Sequence, residues 1–426
     1  IVDADGATLL PGLHDHHIHL AAFAASIHSL PCGPPDIASA DELARSLRAR
    51  DALDTSGWLR GIGYHPCVAG DIDRDWLDRF ISARPVRIQH RGGRLWVLNS
   101  RALEALGHEV PPGLEIVEGR ATGRLYEGDQ WLRQQLRTTF PDLAEASGRL
   151  AGFGVTGITD TTPTNGLAEW GYFRQAQLDG QLRQRVRMMG SHPLSDCENN
   201  DALHVGEYKV HLLESRLPDV DQLAANIATA HSRDRAVAIH CVTLTELIFA
   251  LYALDSAGTQ PGDRIEHAAI APPEQMRAMQ AMGLRVVTQP HFIGERGDQY
   301  MTDVEADDRP WLYRGAGFLA AGIPLAGGSD APFGSADPWR AMQAAVARAT
   351  ASGAILGEEE ALTPEQALDL FLSPPDSPGV RRVSLIVGSP ADLCLLKRPW
   401  SVVRESLCGD QVRCTWQAGE CIFSSG

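Results

Sequence analysis

The 426-residue chain has no apolar run near the roughly 20 residues that a membrane helix needs, so no membrane is expected as partner. It has no basic patch. Its 54 acidic side chains outnumber 38 basic ones, and the net charge of −16 speaks against nucleic acid or an anionic lipid surface. The eight cysteines (Cys32, Cys67, Cys197, Cys241, Cys394, Cys408, Cys414 and Cys421) form no Cys-x-x-Cys pair, which argues against a structural zinc knuckle. No signal segment is recognised, so free thiols in a reducing, cytoplasmic compartment are expected. The chain opens on Ile1 rather than Met, within a strand-like run, and further residues upstream are expected.

What is present is the composition of a globular protein, 44% hydrophobic and 22% charged. The length suits one large α/β barrel with an accessory part, or two to three ordinary domains. The most informative stretch is Leu10-Pro11-Gly12-Leu13-His14-Asp15-His16-His17-Ile18-His19. Side chains alternate along a strand, so His17 and His19 present two imidazoles to one side. Neutral imidazole is a common transition-metal ligand. Among 15 histidines such a pair means little until the rest of the chain is considered.

Residues 1–12 read as the end of a small β element, and 41–52 as an amphipathic helix with Leu43 and Leu47 on one face. Over 58–141 come short strands near 58–64 and 86–90, a helix over 99–106 and a Gly-punctuated loop or hairpin at 118–127. This region is taken as an insertion. From about residue 142 helical patterns alternate with short β-branched runs at 155–160, 186–189, 208–213, 236–241, 264–267, 285–289 and 324–330. Such alternation is the mark of βα units. With the His17 strand there are eight, which predicts an α/β fold, a (β/α)8 TIM-type barrel over 13–383. Residues 384–426 turn β-rich. With 1–12 they are expected to form a small, sandwich-like accessory domain.

The active site of such a barrel lies at the C-terminal strand ends. The first strand ends in His17 and His19, the fourth carries Lys209, the fifth ends in His240, the sixth in His267 and the eighth in Asp330. Each alone has an ordinary explanation. His240 could be a hydrogen-bonded core histidine, His267 could form a surface pair with Glu266, Asp330 could cap a helix or a turn, and Lys209 could be a solvated strand-edge lysine. Six such residues on five strands of one barrel point instead to a metal site. His211 shares the face of Lys209 and either reaches the pocket or packs within the strand.

At these residues the sequence resembles the amidohydrolase superfamily. It is similar to the family-3 branch that includes N-substituted formamide deformylase-like enzymes. The resemblance runs from Pro11-Gly12-Leu13-His14-Asp15-His16-His17-Ile18-His19 through Gly154–Asp160, Ala238-Ile239-His240, Arg264-Ile265-Glu266-His267 and Gly328-Ser329-Asp330 to Gly388–Leu393. Asn99–Leu103 and Thr122–Glu127 belong to the branch. The resemblance implies that His17 and His19 hold one metal and His240 and His267 a second. It implies one or two zinc ions per chain, a Lys209 carboxylated by CO2 that bridges them, and an Asp330 that binds the first metal and shuttles protons. Two departures fall near the expected substrate pocket. Leu213-Glu214 stands where the branch often has Asp-Gly, and Gly93-Arg94 where it often has Gly-His.

The expected activity is metal-dependent hydrolysis of a carbon–nitrogen bond, amide or cyclic amide, in a small molecule. Metal-bound water, with its pKa lowered from about 15.7 to roughly 7, is the attacking group, and Asp330 acts as general base and then acid. Expected pocket residues are Arg91, Arg94, Trp96, His211 and His291, with Gln89, His90, Tyr64, His65 and Gln289 as further lining. Arg91 or Arg94 is either a clamp for an anionic group or a solvated surface residue. The alternatives are a single-metal deaminase, a non-hydrolytic relative and a non-catalytic assembly module; a homodimer is the candidate assembly. Loss of metal ligands would favour the module, and all six are present.

Overall fold

The computed structural model describes residues 3–53, 57–107, 110–136 and 140–425. Residues 1, 2 and 426 of the expected accessory element lie outside the described residues, as do 108, 109 and 137–139 of the expected insertion. Two units form: Ile1–Phe23 with Asp142–Gly426, and Ala24–Pro141.

In the first unit eight short segments are largely buried, as strands covered on both faces are. They are β1 (Leu13–Ile18), β2 (Val155–Asp160), β3 (Arg185–Gly190), β4 (Leu203–His211), β5 (Val237–Cys241), β6 (Arg264–His267), β7 (Arg285–Thr288) and β8 (Leu325–Gly327). All pair in parallel, in the order β8-β7-β6-β5-β4-β3-β2-β1. Parallel neighbours need crossovers, and helices such as Val220–His231, Leu244–Ala257 and Pro273–Ala281 supply them. Their starts are visible in the sequence. Asp219 accepts the Gln222 N–H, and Thr243 with Glu246 forms a capping box.

The two ends of this order meet. The Asp330 N–H donates to the His17 carbonyl at 2.7 Å and the His19 N–H to the Ala331 carbonyl at 2.9 Å. The Ser329 N–H donates to Asp15 Oδ1 at 2.9 Å. A Cβ on Gly328 would stand 2.4 Å from the His17 Cβ and 2.5 Å from its N, so the approach of the two chains here requires glycine. The eight-stranded parallel barrel is the expected one.

The chain ends also meet as expected. Leu9–Pro11, Leu393–Leu396, Val412–Gln417 and Glu420–Ser424 form one antiparallel four-stranded sheet, with Leu10 opposite Cys394. It is fastened to the barrel unit by the Thr415 hydroxyl, which donates to the Ala151 carbonyl at 2.7 Å.

The second unit has a six-stranded mixed sheet. Leu30–Pro31, Leu59–Tyr64 and Val86–His90 run parallel; Leu95–Leu98, Arg120–Tyr126 and Leu114–Val117 continue it antiparallel. The 118–127 stretch is therefore the turn and one arm of a hairpin. Leu43 and Leu47 of helix Ala40–Leu53 pack in a core with Leu59, Val86 and Ile88. Asn99, wholly buried, caps helix Ser100–Leu106 and satisfies four backbone groups. It accepts from the N–H groups of Ala102 (2.8 Å) and Val86 (2.9 Å) and donates to the carbonyls of Ile81 and Arg84 (both 2.9 Å).

Candidate metal centre

The register of three strands sets the site. His211 stands opposite His240, and His240 opposite Glu266, so these three residues share one face across β4, β5 and β6. Lys209 lies two residues before His211 on that face. His267 and Asp330 then leave the strand conformation, with φ of +68° and +50°. Residues other than glycine rarely adopt this region, at a cost of about 1–3 kcal/mol each, and such strain gathers at functional sites.

The result is a chain of imidazoles. Ring centroids are 5.6 Å apart for His17–His19, 4.7 Å for His17–His267, 4.5 Å for His240–His267 and 4.3 Å for His211–His240. Asp330 faces its beginning. Its Oδ1 lies 3.4 Å from His17 Nε2 and 3.3 Å from His19 Nε2. One ligand atom from each of these three residues lies within 4.8 Å of the others.

Three of the rings, those of His17, His19 and His267, are aimed by a bond to the other nitrogen. His17 Nδ1–H donates to Glu266 Oε2, His19 Nδ1 shares a hydrogen bond with Thr162 Oγ1 (3.0 Å), and His267 Nδ1–H donates to Gln289 Oε1 (2.6 Å). This is how metal-binding histidines are held, with Nε2 left for the ion.

The electrostatics agree. Burial, reinforced by neighbouring imidazoles, holds His240 far below its ordinary range and His267 at about 3, so both rings are neutral and carry a lone pair. Burial pushes the Asp330 carboxyl up, but the facing imidazoles of His17 and His19 and the charge of His17 outweigh it and hold the group well below the usual carboxylate range. Burial lowers the Lys209 amine to about 8, against the pull of Glu266. Lys209 Nζ is 3.9 Å from Glu266 Oε2 and, though buried, has no hydrogen-bond partner among the described residues. A buried amine left so is costly. The lone pairs of His240 and His267, the paired rings of His17 and His19, the Asp330 carboxylate and a buried lysine between them fit a divalent transition metal.

Of the expected site residues, His17, His19, Lys209, His240, His267, Asp330 and His211 come together at these strand ends. His291 is buried beside them, its Nε2–H given to the Ser329 carbonyl (2.9 Å). Arg91, Arg94 and Trp96 belong to the second unit. There Trp96 is a core residue whose indole N–H donates to Asp129 Oδ1 at 3.0 Å. Glu266 and His267 are not a surface pair. They are 0% and 2% exposed, because Glu266 shares the inward face of His240. Glu266 and Thr162 are the contributors that sequence reasoning missed.

The model of the amidohydrolase family matches residues 1–423. The chain belongs to this family. As an amidohydrolase it is a hydrolase of carbon–nitrogen bonds. This amidohydrolase is 26% identical to N-substituted formamide deformylase of Arthrobacter pascens, over 93% of its own chain and 85% of that protein. It is 22% identical to the putative amidohydrolase YtcJ of Bacillus subtilis (strain 168), over 87% of its chain and 79% of the relative. Its fold is that of an uncharacterised metal-dependent hydrolase from Pyrococcus horikoshii OT3, with a TM-score of 0.69 at 21% identity over 87% of this chain and 81% of the other.

Proposed function

We propose that this amidohydrolase cleaves an amide, cyclic amide or N-formyl bond of a small molecule at a zinc centre held by His17, His19, Lys209, His240, His267 and Asp330. The observation that carries the reading is the convergence of two fixed Nε2 atoms on Asp330 Oδ1 beside a buried lysine that has no hydrogen-bond partner among the described residues. His17, His19 and Asp330 would hold one ion, and His240 and His267 a second. The Lys209 amine would add to CO2, losing a proton to solvent, and share the resulting carbamate oxygens between the two. When bound, the metal supplies a water whose pKa is lowered to roughly 7 and polarises the scissile carbonyl.

The protein residues do the rest. Asp330 is an anion on a backbone pinned to His17, so it can accept a proton during attack and return it to the leaving nitrogen. The backbone bond fixes where that transfer takes place. His211 is exposed at the end of β4 beside His240, which supports a contact with substrate. The formamide deformylase relative puts N-substituted formamides first among the compounds to try.

The test is metal analysis combined with a screen of N-formyl, N-acyl and cyclic amides. About one to two zinc ions per chain and turnover of some member are expected. A folded, metal-free protein with an unmodified Lys209 overturns the two-metal reading. A second reading has its own support: among the described residues only His17, His19 and Asp330 bring three ligand atoms this close. One ion per chain with ammonia as product would favour that single-metal deaminase.

A further inference from the structure

The helix after β7, His291–Asp303, is fastened to the segment that follows β8 at three points. His291 Nε2–H donates to the Ser329 carbonyl (2.9 Å), the Ser335 N–H donates to Glu295 Oε1 (3.1 Å), and Arg296 Nη2 donates to the Phe333 carbonyl. Phe333 in turn gives its N–H to the Asp330 carbonyl at 2.8 Å and sets its ring edge-on to His19, centroids 5.4 Å apart. Arg296 is thus linked to Asp330 and His19 through a single residue.

Its surroundings are those of a binding group. The guanidinium lies 3.9 Å from the centroid of the Phe292 ring, which supports the cation from below. Among the described residues no carboxylate forms an ion pair with it, and the neighbouring Glu295 gives its oxygen to Ser335 instead. Beyond the bond to Phe333, its N–H groups have no protein partner among the described residues. Half-buried arginine with unused donors, on an aromatic face at the catalytic end of a barrel, matches a planar carboxylate, which the guanidinium fork can take with two parallel bonds.

We propose that Arg296 is a specificity-determining residue that binds a carboxylate on the amide substrate, with the Phe333 ring flanking the carbon skeleton between that carboxylate and the scissile bond. This rests on the hydrolase reading above and narrows its substrates to amides that carry an anionic end.

The experiment compares two substrates that differ only in that end, an N-formyl amino acid and its carboxamide, on zinc-loaded protein. The wild type is expected to prefer the carboxylate. Arg296→Gln lowers kcat/KM for the carboxylate roughly ten- to a hundredfold, chiefly through KM, and leaves the carboxamide within about twofold. Arg296→Lys, a point charge without the fork, recovers part of the loss. Equal losses on both compounds, or a wild type without preference, overturn the proposal and leave Arg296 as a brace for the Phe333 segment. Equilibrium binding of the N-methyl amine counterparts, which cannot be hydrolysed, is measured alongside. If neither amide is turned over, the hydrolase reading fails on these substrates, while the carboxylate-over-carboxamide binding ratio, lost or kept in Arg296→Gln, still decides the role of Arg296.

Discussion

Glu266→Gln probes a carboxylate that ligates nothing in the proposed centre and yet touches two of its parts. Oε1 takes the Arg264 Nε at 2.5 Å; Oε2 faces His17 Nδ1 and stands 3.9 Å from Lys209 Nζ. Arg264 and Glu266 are both 0% exposed. The amide keeps the volume and removes the charge. A buried cation stripped of its partner costs about 3–5 kcal/mol. Arg264 also acts on the buried carboxylate of Glu207, a second source of compensation, so the lower end of that range, about 3 kcal/mol, is expected. Removing the carboxylate from the far nitrogen of His17 weakens metal binding about 10- to 100-fold. Denaturant unfolding of zinc-free protein reads the first effect, and competition with a chromophoric chelator reads the second. Stability within about 0.5 kcal/mol of wild type together with affinity within about twofold would refute the reasoning. A large loss of stability with unchanged zinc affinity would make Glu266 a purely structural counter-ion to Arg264.

Asp330→Ala or His17→Ala should abolish hydrolysis while far-ultraviolet circular dichroism stays that of the wild type; retained turnover would remove Asp330 from the proton transfer. Exchange with 13C-bicarbonate should yield a carbamate resonance that disappears in Lys209→Ala and persists in Lys397→Ala, the chain having no other lysine. Chelation should lower unfolding free energy, by about 2.7 kcal/mol relative to protein at free zinc 100 times Kd, and calorimetry with and without zinc checks this. Asn99→Ala leaves two buried N–H groups and two buried carbonyls without their side-chain partner. A loss of about 2–4 kcal/mol is expected, given about 1–3 kcal/mol for one unsatisfied buried group and partial relaxation. A loss below about 1 kcal/mol by urea denaturation would contradict it.

The barrel was legible because a parallel strand buried on both faces must be apolar almost throughout, and because each one here is bounded by turn residues and a helical run. The proposed metal ligands were legible because they break those apolar runs at or near their ends. Glu266 was not. In the four-residue run Arg264-Ile265-Glu266-His267 nothing local says which face is inward, and a charged pair next to a histidine looks the same on a surface. The answer lies in the pairing of Glu266 with His240 on the neighbouring strand. Arg296 was equally silent. It sits among Gly294, Glu295, Gly297 and Asp298, an ordinary polar helix surface, and only its contact with Phe333 brings it to Asp330. Arg91 and Arg94 are expected at the pocket because a guanidinium can clamp an anionic group and because Gly93-Arg94 stands where the branch often has Gly-His, and neither ground says where this turn ends up.

The β1–β8 seam bears on how the protein is made. Ser329 and Asp15 meet across 314 residues. At the usual pace of translation β1 waits roughly 15–60 s on or near the ribosome before its partner strand exists. The His17-Ile18-His19 strand has both edges unpaired until Val155–Asp160 is made and one edge unpaired after that, and its imidazoles lack the carboxylate of Asp330 that joins them. Closing a loop of this length adds little entropy over a shorter one, since the cost grows only with the logarithm of length. The wait is therefore the dominant hazard, and shielding of an exposed strand edge falls to the nascent barrel or to a chaperone. A chain cut short before Asp330 carries five of the six proposed ligands and lacks the proposed proton carrier, so on the proposed mechanism hydrolysis doubles as a report that synthesis has passed residue 330.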